Sequence, residues 1–237
     1  MKRSSCPRLV VQDDPRSFSA EAYRVLRTNL HYANPDAPLR RVLVTSAGAG
    51  EGKSTTIANL AVSLAQADRS VLLVDADLRR PTIHAIFRQQ SAPGLSSHLA
   101  GDAILAAVLL KTSVPNLSMV ASGPVPPNPA ELLASRRMRE FLEAAGERFD
   151  MVLLDSPPVL AVSDACALAP LVDGVLLVVG SGEAPQAALR RAKEHVEAVR
   201  GRILGAVINR FDASANGYSK RYYDGYEGYY TKGTLPA

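Results

Sequence analysis

Residues 42–55, VLVTSAGAGEGKST, limit the folds open to this chain more than any other stretch. Val42, Leu43 and Val44 form a short apolar run that reads as a buried strand. The run breaks into a turn containing Gly48, Gly50 and Gly52, and Lys53, Ser54 and Thr55 follow. The next segment, IANLAVSLAQA, repeats its apolar residues at helical spacing. Strand, glycine loop and helix in that order are the setting of a phosphate-binding loop. Glycines let several backbone N–H groups face one concavity, and a helix N-terminus adds partial positive charge there. Residues Ala49, Gly50, Glu51, Gly52, Lys53, Ser54 and Thr55 are therefore the candidate nucleotide contacts. Lys53 is placed to reach the outer phosphates, and the Ser54 hydroxyl to ligate Mg2+. The strict pattern begins with glycine, where this chain has Ala47, a residue still small enough for the loop. The bland alternative is a flexible glycine turn ahead of any helix; Gly-Lys-Ser at the right offset argues against it.

The chain has 237 residues, enough for one substantial α/β domain and short for two. Hydrophobic residues make up 47% and charged residues 21%, so most of it should fold. The net charge of +4 is a mild bias spread along the chain and does not point to nucleic acid. Cys6 and Cys166 are far apart and lack metal-ligand spacing, which suits a reducing compartment. No apolar run approaches the roughly 20 residues needed to cross a bilayer. No secretion signal opens the chain. A cytoplasmic protein is expected, with any membrane association made through a partner.

Residues 1–16 are polar, carry Pro7 and Pro15, and read as a flexible arm. A helix should begin near Ser17 or Ser19. It carries Glu21, Arg24 and Arg27 three apart, on neighbouring positions of one face. Spacing alone makes that a solvated charged face. A second buried strand, VLLVDAD, ends in Asp75 and Asp77. In open parallel sheets that end is where ligands bind, although an Asp there can also simply cap the next turn. Pro81 suits the first turn of a following helix. The proline-dense SGPVPPNPAELLAS should enter a helix at Pro129 or Ala130 with Asn128 as its cap. A helix over 136–148 leads to MVLLD, a strand ending in Asp155 with the form of a Walker B element. A short helix opening at Ser163-Asp164, a strand over 175–179, a helix over 185–200 and a last strand over 204–208 complete the series. With a short strand over 117–120 ahead of the proline-dense stretch, six strand candidates alternate with helices. A P-loop NTPase-type, mostly parallel α/β sheet covered on both faces is expected, as one domain over residues 17–213.

Residues 214–237 differ in kind. The stretch NGYSKRYYDGYEGYY holds Tyr218, Tyr222, Tyr223, Tyr226, Tyr229 and Tyr230, six of the chain's eight tyrosines. Glycine, serine and charged residues separate them, so the segment cannot bury enough apolar surface to order itself. A sticky low-complexity tail and a nucleic-acid stacking tail are the alternatives to a chemical role. Lys220, Arg221 and Lys232 are few for stacking on nucleic acid, and Asp224 and Glu227 offset them.

Lys53, Ser54, Asp75, Asp77 and Asp155 with a terminal tyrosine cluster resemble the bacterial tyrosine kinases of capsule and exopolysaccharide production. Four stretches carry the resemblance: SAEAYRVLRTNL, the phosphate loop, LLVDADLRRP and MVLLDSPPV, with SGPVPPNPAELLAS in support. It runs from about Ser19 to the C-terminus. It implies an ATP- and Mg2+-dependent autokinase whose transmembrane adaptor, a polysaccharide co-polymerase, activates a separate cytosolic chain at the inner face of the membrane. It implies a ring-shaped homo-oligomer and a partner tyrosine phosphatase. Lys53 would neutralise the outer phosphates, Ser54, Asp77 and Asp155 would hold the metal, and Asp75 would accept or orient the tyrosine proton. The division of base and metal duties between Asp75 and Asp77 stays open. Asn209 would contact adenine, and Glu21, Arg24 and Arg27 match the family's subunit-contact pattern. The six tail tyrosines would be the autophosphorylation sites.

Two rivals share the motifs. A ParA/MinD-type ATPase usually carries an extra lysine early in its loop, and residues 46–52 contain none. It would also need an amphipathic C-terminal helix, which the tyrosine-rich segment does not offer. A nucleotide-gated regulator would bind ATP and transfer nothing, yet every charged group needed for transfer is present.

Overall fold

A computed structural model describes residues 9–34, 37–182 and 185–211. The tyrosines at 218–230 and Cys6 lie outside the described residues. Seven strands form one sheet in the order β3-β4-β2-β5-β1-β6-β7. They are β1 (Arg41–Ser46), β2 (Val71–Asp75), β3 (Leu109–Lys111), β4 (Leu117–Val120), β5 (Met151–Asp155), β6 (Gly174–Gly180) and β7 (Ile203–Asn209). All neighbours run parallel except the β3–β4 pair at one edge. This is the expected architecture with one strand more than the sequence suggested. The extra strand, β3, is three residues long and only partly buried, and its two leucines continue the apolar run of the preceding helical turn, Leu105–Val108, so no boundary announces it.

The central strands show why continuous apolar runs mean burial on both sides. Val42 and Val44 of β1 pack into one core, whereas Leu43 between them packs into the other. Val71 and Leu73 of β2 alternate with Leu72 and Val74 in the same way. The first core is roofed by α1 (Val10–Asp13), α2 (Phe18–Tyr32), α3 (Lys53–Ala65) and α4 (Ile83–Ile86). The second lies under α5 (Leu95–Ala100), α7 (Pro129–Leu133), α8 (Arg136–Arg148), α9 (Asp164–Leu168) and α10 (Gln186–Ala198); α6 (Leu105–Val108) leads into β3.

Several local expectations change. The arm is not loose throughout: α1 buries Val11 completely, and the Val11 N–H donates to Asn59 Oδ1 of α3 at 3.1 Å. Leu9 and Val10 pack beside Val11 against the same core, so three apolar residues in a polar stretch seat a single turn. Ser17 does cap α2, its Oγ accepting from the Ala20 N–H at 3.2 Å. Asn128 stands at the start of α7 without a side-chain cap bond. Pro81 precedes α4 instead of starting it, because Thr82 is the cap residue and Asp75 supplies the acceptor.

Candidate active site

Strand order creates the site. β5 inserts between β2 and β1, so the carboxyl ends of three strands carrying acidic or phosphate-loop motifs stand side by side. Register then pairs Asp75 directly with Asp155, and Asp155 with Val44 at the mouth of the loop. Adjacent strands lie about 4.8 Å apart, so two carboxylates sit close together at full burial.

The loop over residues 47–52 turns through two left-handed glycines, Gly50 at φ 83° and Gly52 at φ 89°. A Cβ on Gly52 would lie 2.0 Å from Asn209 Nδ2, so only glycine fits. Above Gly50 the space is open. Lys53 and Ser54 open α3, aiming its first N–H groups at that space.

Glu51 was expected among the nucleotide contacts, and its side chain has another task. It is buried, its Oε1 accepts from the Gly48 N–H, and its Oε2 accepts from the Gly180 N–H at 2.9 Å. The carboxylate thus braces the loop against the end of β6, and only its backbone is left to face phosphate. Asn209 also belongs to this brace: its Nδ2 donates to the Glu51 carbonyl at 2.9 Å. It stands at the loop's flank, where the end of β7 meets it.

The aspartates divide by what already holds them. Asp75 Oδ2 accepts from the Thr82 and Ile83 N–H groups at 3.1 and 3.0 Å, whereas its Oδ1 is buried with no hydrogen-bond partner. The capping alternative is therefore realised on one oxygen and leaves the other available. Burial first, then the Asp155 charge, hold the Asp75 carboxyl well above its ordinary range. Neither oxygen of Asp155 accepts a hydrogen bond of good geometry, although the Ser54 hydroxyl and the Ser156 N–H lie close enough to favour its charged form. Burial pushes that carboxyl up to about 7, against the opposing pull of Lys53 and Ser54. Asp77 is 7% exposed and accepts from the Arg80 N–H at 2.9 Å.

Unpartnered buried carboxylates are costly unless a cation meets them. Orphaned oxygens on Asp75 and Asp155 beside Lys53 and Ser54 fit a divalent cation carried in with phosphates. Among the described residues no cluster of three or more His, Cys, Asp or Glu side chains could hold a metal alone. That suits Mg2+, which keeps several waters and shares its shell with substrate phosphates.

One functional pair was not read from the sequence. Arg79 Nε and Nη2 donate to Asp164 Oδ2 and Oδ1 at 2.9 and 3.0 Å, and Asp164 is fully buried. The pair ties the loop after β2, which carries Asp77, to α9, the helix that follows β5 and its terminal Asp155. Away from the site, Glu21, Arg24 and Arg27 line up on α2. Arg24 pairs with Glu21 at 2.7 Å, and Arg27 Nη1 donates to the Ser63 carbonyl at 2.7 Å.

Residues 40–203 match the family model described as an AAA domain. The tyrosine-protein kinase YwqD of Bacillus subtilis is 42% identical over 201 residues, covering 85% of each chain. This chain is a member of the bacterial tyrosine-protein kinase family. Solved kinase structures agree. The kinase domain of the Escherichia coli tyrosine kinase ETK superposes with a TM-score of 0.82 at 36% identity, covering 86% of this chain and 82% of that one. The chimerical protein CapA2B2 gives 0.83 at 37%, covering 86% and 89%. The septum site-determining protein MinD of Pyrococcus horikoshii, complexed with Mg-ADP, is more distant: TM-score 0.63 and 25% identity over 73% of this chain and 70% of that one. The partitioning-ATPase alternative is therefore not favoured, and the fold shared with it is one that binds Mg-nucleotide. No helix among the described residues is long and apolar enough to cross a membrane.

Proposed function

We propose that this kinase transfers the γ-phosphoryl group of ATP to tyrosines at 218–230 of a neighbouring copy, and thereby regulates capsular or exopolysaccharide synthesis or export. One observation carries the reading: Lys53 and Ser54 at the start of α3 stand against the buried Asp155 carboxylate, beside Asp75, whose Oδ1 is buried without a partner. Lys53 neutralises the outer phosphates. Ser54, Asp77 and Asp155 are the residues that would hold Mg2+, which when bound offsets phosphate charge. Asp75 Oδ1 is the acceptor left for the phenolic proton. A tyrosine near pKa 10 is protonated at neutral pH, so its oxygen needs such an acceptor as it attacks the γ-phosphorus and ADP departs. Burial raises Asp75 and so makes it a stronger base.

The same reading extends to assembly. Glu21, Arg24 and Arg27 would contact the next copy in a ring, beside Val25, which is 50% exposed on α2. A transmembrane co-polymerase adaptor would hold the kinase at the inner face of the membrane and activate it, and a tyrosine phosphatase would reset it. The test incubates wild type and Lys53→Met with Mg-ATP and the adaptor's cytosolic segment, and maps phosphate by mass spectrometry. Phosphotyrosine at 218–230 in the wild type alone is expected. ATP hydrolysis with no phosphotyrosine would refute the reading.

A further inference from the structure

At the amino end of the sheet, opposite the nucleotide site, a cleft of about 620 Å³ opens between the C-terminal ends of α2 and α3. Its floor is apolar: Leu39, Leu64 and Met151 line it, each almost wholly buried. Its walls are cationic. Arg27 stands on one side, and Arg69 on the other, beside His31. Arg27 spends one nitrogen on the Ser63 carbonyl, and Arg69 Nη2 meets His31 Nδ1 at 3.2 Å. Among the described residues neither arginine forms an ion pair. Asp150 is near enough to Arg69 to feel its charge but is held by the Ser70 N–H and hydroxyl, each at 2.9 Å. An apolar floor in a cleft of this volume, below two arginine forks that no carboxylate among the described residues pairs with, matches one ligand chemistry: an aryl phosphate.

We propose that this cleft binds a phosphotyrosine of residues 218–230 from the chain's own tail. The inference rests on the kinase reading for the origin of the phosphate. Reach is sufficient. β7 spans seven residues, about 23 Å at 3.3 Å each, and the cleft at the start of β5 lies three strands across, about 14 Å more, so the straight-line distance from the end that carries Phe211 is about 27 Å. The eleven residues from Phe211 to Tyr222 extend to about 36 Å, so Tyr222 and every later tyrosine can arrive. The charge matches as well, since each phosphate adds close to two negative charges. Phosphorylation would then do more than repel. A modified tail would leave the active site and lodge at the far end of the sheet, beside Arg27 on α2, where the next copy is proposed to dock. Modification would so be read out at the assembly surface.

The test uses full-length Lys53→Met protein, which makes no phosphotyrosine of its own, and synthetic peptides of residues 216–230. Each peptide carries a fluorophore and is either unphosphorylated or phosphorylated at Tyr222, Tyr226 or Tyr229. Fluorescence anisotropy should show at least one phosphopeptide binding tenfold or more tighter than the unphosphorylated form. Adding Arg69→Ala should remove that preference with an unchanged melting curve, and Arg69→Lys should restore part of it. A photo-crosslinking phosphopeptide should label the ends of α2 and α3. Equal binding of both forms, a preference that survives Arg69→Ala, or displacement by inorganic phosphate at the phosphopeptide's own concentration would overturn the proposal. Because the phosphate is synthetic, the result is independent of whether the protein phosphorylates itself.

Discussion

Replacing Arg79 with methionine probes the joint between the two acidic loops. Asp164 is fully buried and both its oxygens are held by Arg79, whose own side chain is 39% exposed. Removing one partner of a fully buried pair costs about 3–5 kcal/mol, because the remaining charge is stranded. Water reaches Arg79, so the pair is partly screened and about 2–3 kcal/mol is the better figure. For a domain of this size each kcal/mol lowers the melting temperature by roughly 2–4 °C. Arg79→Met should therefore melt about 5–10 °C below wild type. Asp164→Leu should cost less, since an exposed arginine can turn into solvent. The double variant should be no worse than Asp164→Leu, giving a coupling energy of about 2 kcal/mol in a double-mutant cycle followed by urea unfolding. Arg79→Met should also need more Mg2+ to bind nucleotide, because Asp77 sits on one segment it joins and Asp155 ends the strand that leads to the other. Additive effects within about 0.5 kcal/mol would refute the joint.

Three further outcomes follow from the same geometry. Burial holds the Asp155 carboxyl near pH 7, above its unfolded value of 3.8. In the metal-free protein, folding therefore retains a proton that the unfolded chain releases, so stability falls as pH rises from about 4 to 7, by up to about 4 kcal/mol from this group. Asp155→Asn should flatten that slope in thermal melts across pH while abolishing kinase activity; an unchanged slope contradicts the assignment. Gly52→Ala forces a Cβ onto Asn209 at a left-handed φ, and should lose nucleotide binding measured by a fluorescent ADP analogue. Val11→Ala removes two buried methyl groups and should cost about 1.5 kcal/mol in urea unfolding; a neutral result would mean that α1 does not hold to α3 in solution.

Much of this molecule can be read in one dimension, where burial on both sides leaves no room for polar alternation. β1, β2, β5 and β6 declare themselves through runs of Val and Leu, and the carboxylates that end β2 and β5 stand out against that background. What escapes is set by distance along the chain. Arg79 and Asp164 are separated by 85 positions, and each alone looks like an ordinary loop charge or a helix-opening acid. The alignment of Asp75 with Asp155 depends on β5 entering between β2 and β1, which no local pattern encodes. Glu51 shows the opposite case: its place inside the phosphate loop draws attention to its carboxylate, yet Gly48 and Gly180 hold that carboxylate and only its backbone is left to face phosphate. Pro81 misleads because a carboxylate six residues earlier provides the acceptor for α4 and shifts its start.

The seating of Val11 on α3 has a mechanical side. Asn59, which receives the Val11 N–H, lies six residues along the helix from Lys53, about 9 Å by the α-helical rise. Force arriving from ahead of residue 9 would thus be delivered almost directly to the lysine that grips the phosphates. A tug, a twist or a docked neighbour at that extremity gains a short lever on catalysis, with a single buried valine as its fulcrum.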